Sequence, residues 1–371
     1  MVSRDLMAQL KPQIRRIDIL LFYLTVALSI FGVLMIFEAS SVTAFQDFGD
    51  KYYYIRQQII WIIIGFISLA IFSKINYQVL RKISPILILA TIGFLILVLV
   101  PGIGIKLLGA RRWINLGFFG FQPAELVKLS LVIYLSSVFT SKSRFLPLIF
   151  VLGLLNLLIL LEPDLGTALV LAAILFSMLY MGGIRLKHLV SIMLTGLVSL
   201  PIFWHYALRD YQKQRLLVFL NPNADPLGAG YTIIQSKIAI GSGWVFGKGW
   251  LAGTQNQLNF LPERHSDFIF SIIGEEWGFL GSAILVLLYF ILIKHALSIY
   301  SRTNDSYGQL MVSGIVGMLA FQIVVNIAMT LGLMPVVGIP LPLMSYGGSS
   351  LIITMSSIAL LINIGMRRTV F

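Results

Sequence analysis

Four of the 15 Asp and Glu residues in this 371-residue chain fall within fourteen positions. They are Glu263, Asp267, Glu275 and Glu276 of PERHSDFIFSIIGEEWG, and the last two lie inside an apolar run. A carboxylate facing hydrocarbon is costly, so each of these must face a protein interior or a polar groove and be matched there. Asp267 stands where a long mixed segment turns apolar, with Ser266 before it as a helix N-cap. At that position the positive end of the helix dipole would favour the ionised carboxyl, poised to accept a proton or a cation. Supporting the helix start is the plainer role for the same residue. Glu275 and Glu276 would sit roughly 12 Å deeper on a helix rising 1.5 Å per residue, as functional groups or as structural hydrogen-bond partners.

Further polar residues could join them. Glu125 and Lys128 of QPAELVK are three apart, hence on one helical face, where they form an ion pair or share a polar cavity. Arg111 and Arg112 of ARRWINLG offer forked donors matched to phosphate oxygens, and Trp113 beside them suits a membrane-interface anchor. Glu162 and Asp164 of LEPDLGTAL have a helix-end reading, with Pro163 at the start and Asp164 in the first turn. His265 has no second histidine near it and reads as structural. SGWVFGKG has the look of a phosphate-binding loop, but Ser242 and Gly249 break the pattern and no strand precedes it, which excludes nucleotide binding there.

A carboxylate, clustered cations and aromatic groups at a membrane boundary suit a lipid that carries a phosphate and a polar head group. A sugar leaving from pyrophosphate needs little acid catalysis, because its leaving group departs as an anion that cations stabilise. What such a transfer needs is one base for the attacking hydroxyl. A glycosidase normally needs two carboxyl groups, since its leaving alkoxide must be protonated.

The elements that position these groups follow from composition. With 58% hydrophobic and 11% charged residues and a mean hydropathy of +0.92, this is an integral membrane protein. Ten apolar runs predict about ten transmembrane helices: Ile19–Phe37, Gln58–Phe72, Ile83–Val100, Ala124–Thr140, Phe145–Leu161, Leu165–Met181, Leu189–Tyr206, Phe268–Ile293, Leu310–Leu331 and Ser349–Met366. The first run follows basic residues as a signal peptide would, but its length reads as a retained helix. The fold class is all-α, a single polytopic unit over 1–371 with a long outer loop at 207–267, between helices 7 and 8, and a second ordered outer loop at 332–348.

Basic residues decide the orientation. Fifteen Lys and Arg flank the loops on the side of the termini and five flank the short loops opposite, which puts both termini in the cytoplasm and the acidic cluster on the outer face. Topology and anionic lipid thereby account for most of the +12 net charge, and nucleic acid is excluded as a partner. The absence of cysteine removes thiol chemistry, disulfides and zinc thiolates. Within the long loop, GYTIIQSKIAIGSG places Tyr231, Ile234, Ile238 and Gly241 on one helical face, for an interfacial helix or for packing within the loop. In MPVVGIPLPLMSYGGSS the prolines exclude a regular helix, and the segment reads as a loop folded on the bundle, with Ser345 a structural polar group.

The quoted motifs, together with DPLGAGYTIIQSKIAIGSG and GKGWLAGTQNQLNFLPERHSDFIF, resemble those of the SEDS proteins of shape, elongation, division and sporulation, with the RodA branch favoured over FtsW. The resemblance spans nearly the whole chain. Ser266, Ala124, Trp277 and Trp244 depart from the usual residues at their positions. It implies a peptidoglycan glycosyltransferase that polymerises lipid II into glycan strands in the bacterial inner membrane, beside a class B penicillin-binding protein. It also implies Asp267 as the catalytic residue, and the clustering of polar groups around it suits a base or a holder of a divalent cation such as Mg. Arg111, Arg112, Trp113, Glu125, Lys128, Lys248, Glu263, Arg264 and His265 form the expected substrate-binding set. Glu162, Asp164, Glu275, Glu276 and Ser345 form the structural polar set. A transporter of lipid-linked precursor and a non-catalytic scaffold are the alternative readings.

Overall fold

The computed structural model describes residues 18–107, 110–115, 117, 120–141, 145–206, 210–228 and 230–367. Each of the ten predicted spans is helical. In chain order the first three are α1 (Ile19–Phe48), α2 (Tyr53–Lys74) and α3 (Tyr77–Leu99). A three-stranded antiparallel meander follows, β1 (Gly104–Leu107), β2 (Ala110–Asn115) and β3 (Gly120–Phe121), which the all-α expectation did not include. Ile105 pairs with Trp113 and Ile114 with Phe121, so the meander fixes the segment carrying Arg111 to Trp113. Next come α4 (Pro123–Thr140), α5 (Phe145–Leu161), α6 (Leu165–Met181) and α7 (Leu186–Tyr206).

The long loop is itself folded. It holds α8 (Asp210–Leu220), a 3-10 turn at Pro222–Ala224, α9 (Tyr231–Ser242) and α10 (Thr254–Gln257). The chain closes with α11 (Ile269–Glu276), α12 (Gly278–Arg302), α13 (Ser306–Thr330) and α14 (Gly348–Arg367). Among the described residues seven helices are long and apolar enough to cross a membrane: α1, α2, α3, α4, α12, α13 and α14. Helices α4, α13 and α14 are enclosed at the centre, whereas α2, α3 and α12 turn most of their surface outward.

The predicted eighth span is not one helix. It breaks at Trp277 into α11 and α12, because Gly278 takes a left-handed φ of +64°. A Cβ there would lie 2.3 Å from the Gly247 nitrogen, so only glycine lets the two backbones meet. The loop then satisfies both helix ends. Phe279 and Leu280 donate their free first-turn amides to the carbonyls of Trp244 and Val245 at 2.8 and 3.0 Å, while Lys248 and Gly249 donate to the last carbonyls of α11, at Glu275 and Glu276, both at 3.0 Å.

Of the two arrangements expected for helix α9, packing inward by the Tyr231, Ile234, Ile238 and Gly241 face is not the one observed. Ile233, Ser236 and Ala239 are buried, and Ile238 is exposed. The reason is polar: the Ser236 hydroxyl meets the Ser271 hydroxyl at 2.7 Å and donates to the Thr330 carbonyl at 2.6 Å, which fixes that face against α11 and α13.

The segment after α13 contains no helix and folds back onto the bundle, with Ile339, Leu341, Leu343 and Met344 buried.

Candidate active site

The turn that carries Asp267 is held from three sides. Asp267 and Phe268 donate their amides to the Glu263 carbonyl at 3.0 and 3.2 Å. The Asn326 side chain of α13 donates to the carbonyls of Asp267 (2.9 Å) and Ile339 (2.8 Å), tying the turn to the last loop. Ser345 donates to the Ser266 carbonyl while accepting from the Leu341 amide, and the Tyr346 amide donates to the His265 carbonyl. The last loop thus straps His265, Ser266 and Asp267 in place.

Ser266 does not cap α11. Its hydroxyl turns back to Glu263, and the helix starts at Ile269 with Phe268 in the cap position.

The half-buried Asp267 carboxyl points into a cavity of about 820 Å³ and also borders a side chamber of about 180 Å³. Four residues line both spaces: Arg215, Glu263, Asp267 and Val336. The larger volume fits a small-molecule or head-group site, and the smaller adds room for part of a ligand. The Asp267 carboxylate makes no hydrogen bond or ion pair among the described residues. Protein packed around it pushes its pKa up to about 7, and the charges of Glu263 and Asp164 add to the rise, while Arg215 and Arg112 oppose it. Burial, rather than a helix dipole favouring the anion, governs this group. At Gly338 (φ +73°) an added Cβ would sit 3.4 Å from Asp267 Oδ2, so a glycine leaves this side of the carboxyl open.

Glu125 and Lys128 meet as expected, 2.6 Å apart and nearly enclosed, on the cavity wall. Arg112 and Trp113 line the cavity too. The Arg112 guanidinium is oriented by donation to the carbonyls of Glu162 (3.0 Å) and Pro163. Glu162 is fully buried, and burial, with Asp164 beside it, pushes its pKa up to about 8 against the pull of Arg112. It is therefore mostly protonated at neutral pH. Asp164 serves as the N-cap of α6, accepting from the Thr167 amide at 3.0 Å and hydroxyl at 2.9 Å. His265 lines the cavity, packed against Tyr54 and Tyr346, and burial lowers its pKa and keeps it neutral.

Three members of the expected substrate set lie elsewhere. Lys248 pairs with Glu275 at 2.7 Å and bonds Thr254 at 2.8 Å, on the far side of α11. Arg264 is buried, and its guanidinium binds the Ala39 carbonyl, Thr43 and Asn259, clamping the loop to α1. Arg111 is half-buried and is not among the residues lining either space. Carbonyl and side-chain bonds hold Arg264, and the Glu275 carboxylate holds Lys248.

Glu275 and Glu276 belong to a separate enclosed cluster. Glu275 accepts from Lys248, Thr254 and the Gln255 amide; Glu276 accepts from Asn256 (3.3 Å) and from the Leu251 amide at 3.2 Å. That amide also reaches Glu38 Oε1 at 2.9 Å. Glu38 was not anticipated, because it follows the first apolar run directly and only the extension of α1 to Phe48 encloses it.

Arg215, which no motif marks in the sequence, comes from the long loop and lines both spaces. Gln57, Trp61 and Gln212 also line the cavity and carry no motif that distinguishes them, and Gln122, the first residue of QPAELVK, lines it too. Among the described residues no group of three or more His, Cys, Asp or Glu side chains forms a metal-ligand set. The cavity acids Asp267 and Glu263 still suit a hard cation such as Mg²⁺, which takes one or two carboxylates together with substrate phosphates.

The sequence profile of the cell cycle proteins, the family of FtsW, RodA and SpoVE, matches residues 18–370. The probable peptidoglycan glycosyltransferase FtsW of Trichlorobacter lovleyi is 40% identical over 356 residues, covering 94% of this chain and 92% of that one. The peptidoglycan glycosyltransferase MrdB of Escherichia coli is 37% identical over 359 residues, 95% and 94% of the two chains. The rod shape determining protein RodA of Thermus thermophilus superposes with a TM-score of 0.70 at 30% identity, over 95% of this chain and 97% of that one. A chain from a peptidoglycan synthase complex, solved for the coordination of polymerization and crosslinking, gives 0.78 at 34% identity, over 95% and 98%.

Proposed function

This chain belongs to the cell cycle protein family of FtsW, RodA and SpoVE, and on that premise we propose that it polymerises the glycan strand of peptidoglycan with Asp267 as its base. It is a peptidoglycan glycosyltransferase, like its curated relatives. The donor in this reading is lipid II, a sugar on a polyprenyl pyrophosphate, and the product serves elongation and rod shape. Asp267 takes the proton of an acceptor hydroxyl. That oxygen bonds to the donor's anomeric carbon as the bond from carbon to phosphate oxygen breaks, and the configuration inverts. The pyrophosphate leaves as an anion facing Arg215, Arg112 and the Lys128–Glu125 pair, cations that need no proton transfer to stabilise it.

One observation carries the reading: an otherwise unpartnered carboxyl at the junction of two spaces, with its pKa raised to about 7. A base works best with a pKa near the working pH, where it is partly ionised and still basic enough to accept a proton. A divalent cation bound by Asp267 and Glu263 would add charge compensation at the pyrophosphate. The partner in this reading is a class B penicillin-binding protein that crosslinks the strands, supported by the likeness to a chain of a synthase complex. The excess of basic residues on the terminal side supports cytoplasmic termini and a cavity open to the outer face of the inner membrane.

The test is polymerisation of labelled lipid II by the purified protein with its transpeptidase. Asp267→Asn is expected to lower the rate at least about 10²-fold while the protein still folds. A folded Asp267→Asn protein that polymerises at the parent rate overturns the assignment.

A further inference from the structure

Five rings form a row from the protein surface to the cavity, and the sugar transfer itself does not use it. Phe48, the last residue of α1, stacks on Tyr53 with ring centroids 3.9 Å apart, and Tyr53 meets Tyr54 at 5.4 Å. Tyr54 in turn meets His265 at 4.7 Å and Tyr346 at 5.1 Å, and those two rings line the cavity that holds Asp267. Gln57, another cavity residue, donates to the Tyr53 hydroxyl at 3.2 Å, which joins the row to the cavity at a second point. None of the five rings is buried, and Phe48 is 51% exposed. The stacked pair at the opposite end of the helices, Tyr77 and Tyr307, is sealed at 1% and 0% exposure, as rings that serve packing alone are.

The surroundings of the row identify its occupant. It begins in FQDFGDKYYY, where Gln46, Asp47, Phe48 and Lys51 are all exposed, and acyl chains do not solvate such charges. Helix α1 has 30 residues, so it is about 45 Å long against a hydrocarbon layer of about 30 Å, and its outer turns stand in water. The Asp47 and Glu263 carboxylates lie near enough to Tyr54 to act on it electrostatically. Rings flanked by carboxylates and amides suit a sugar. A pyranose offers C–H groups on its flat face, which settle on an aromatic ring, and hydroxyls at its rim, which donate to carboxylates and bond amides. The row also ends two residues from Asp267, so a chain of sugars built at that carboxyl would lie along it.

We propose that the row from Tyr346 and His265 through Tyr54 and Tyr53 to Phe48 is a saccharide track, along which the glycan strand lies between the cavity and the surface beside the α1–α2 turn. The rings back the flat faces of successive sugars, while Gln46, Asp47, Gln57 and Glu263 meet their hydroxyls. A strand held there between additions is extended again before it is released, so the track sets the length of the product and not the rate of one bond. The inference takes its ligand from the polymerase reading and rests on it.

The full-length protein with its transpeptidase is given labelled lipid II, and both strand length and the rate of bond formation are measured. Phe48→Ala and Tyr53→Ala are expected to shorten the strands at least about threefold, the size of one lost ring contact, while the rate holds. Tyr53→Phe keeps the ring and should keep the parent length. Because the chain has no cysteine, a benzophenone carried on Phe48→Cys is attached at a single site. On illumination it should crosslink to the labelled strand, whereas one on exposed Asn223→Cys should not. Strands of parent length from both alanine variants, with no crosslinking at 48 above the control, overturn the track and leave the row as a surface for a protein partner. A parent protein that forms no strands overturns the polymerase reading instead, and crosslinking at 48 to added lipid-free glycan strands then decides the track by itself.

Discussion

Helix α11 separates two acidic centres that lie close together in the sequence and behave differently. At its start, Asp267 opens onto the cavity with no hydrogen-bond or ion-pair partner among the described residues and a pKa raised to about 7. At its end, Glu275 and Glu276 are sealed at 0% and 2% exposure and held by Lys248, Thr254, Asn256 and two backbone amides. The difference is one of surroundings: at the end of α11 the fold brings a cation, polar side chains and amides to the carboxylates, and at its start it turns the carboxyl to the cavity. Rich hydrogen bonding holds a carboxylate where it is. A carboxyl surrounded by protein yet unpaired retains its appetite for an outside proton or ligand.

The comparison breaks most sharply at its two ends. Asp267→Asn should remove polymerisation without lowering the melting temperature. Glu275→Ala should do the reverse, because it strands the Lys248 ammonium and removes the acceptor for Thr254 and the Gln255 amide. Breaking a buried pair costs about 3 kcal/mol, less here because Lys248 is partly exposed, so a melting curve should fall by several degrees while the rate per folded molecule holds. A Glu275→Ala protein with an unchanged melting curve and no activity would place both acids in one function.

A pH series sharpens the same contrast. Polymerisation should rise with pH through about 7 as Asp267 loses its proton. Stability should run the other way. The folded state holds this proton more tightly than the unfolded chain, whose ordinary value is 3.8, so the contribution is complete below that value and is lost as pH climbs through about 7. Melting temperatures of Asp267→Asn measured from pH 4 to 8 should lack this decline, and an identical slope in both proteins would assign it to another group.

The smallest effect belongs to the strap. Ser345→Ala removes the hydroxyl that joins the Leu341 amide to the Ser266 carbonyl, a loss of about 1 kcal/mol. The expected result is a small drop in melting temperature with a modest loss of rate, since Asn326 still holds the Asp267 carbonyl. A total loss of rate would mean that the strap alone positions the acid.

Much of this architecture was legible in the sequence because hydropathy reports burial in lipid directly. The ten apolar runs gave ten helical stretches, and Glu125 and Lys128 were paired by spacing alone. The break at Trp277 was hidden, since an apolar run through EEWGFLGSA looks continuous until Gly247 comes to lie against Gly278. Long-range contacts likewise decided the cations: Arg264 and Lys248 look like Arg112 in the sequence, and only folding commits them to Ala39 and Glu275. Arg215 gave the opposite error, a loop charge that the fold carries to the junction of two spaces.

The interruption at Trp277 has a mechanical consequence. A rod as long as α12 must lean further over when the bilayer thins and straighten when it thickens. Because the loop caps both helix ends at left-handed Gly278, such a lean is passed to the Trp244–Gly249 segment and to the end of α11, while the start of α11 is held separately by the Ser236–Ser271 contact, by Asn326 and by the last loop.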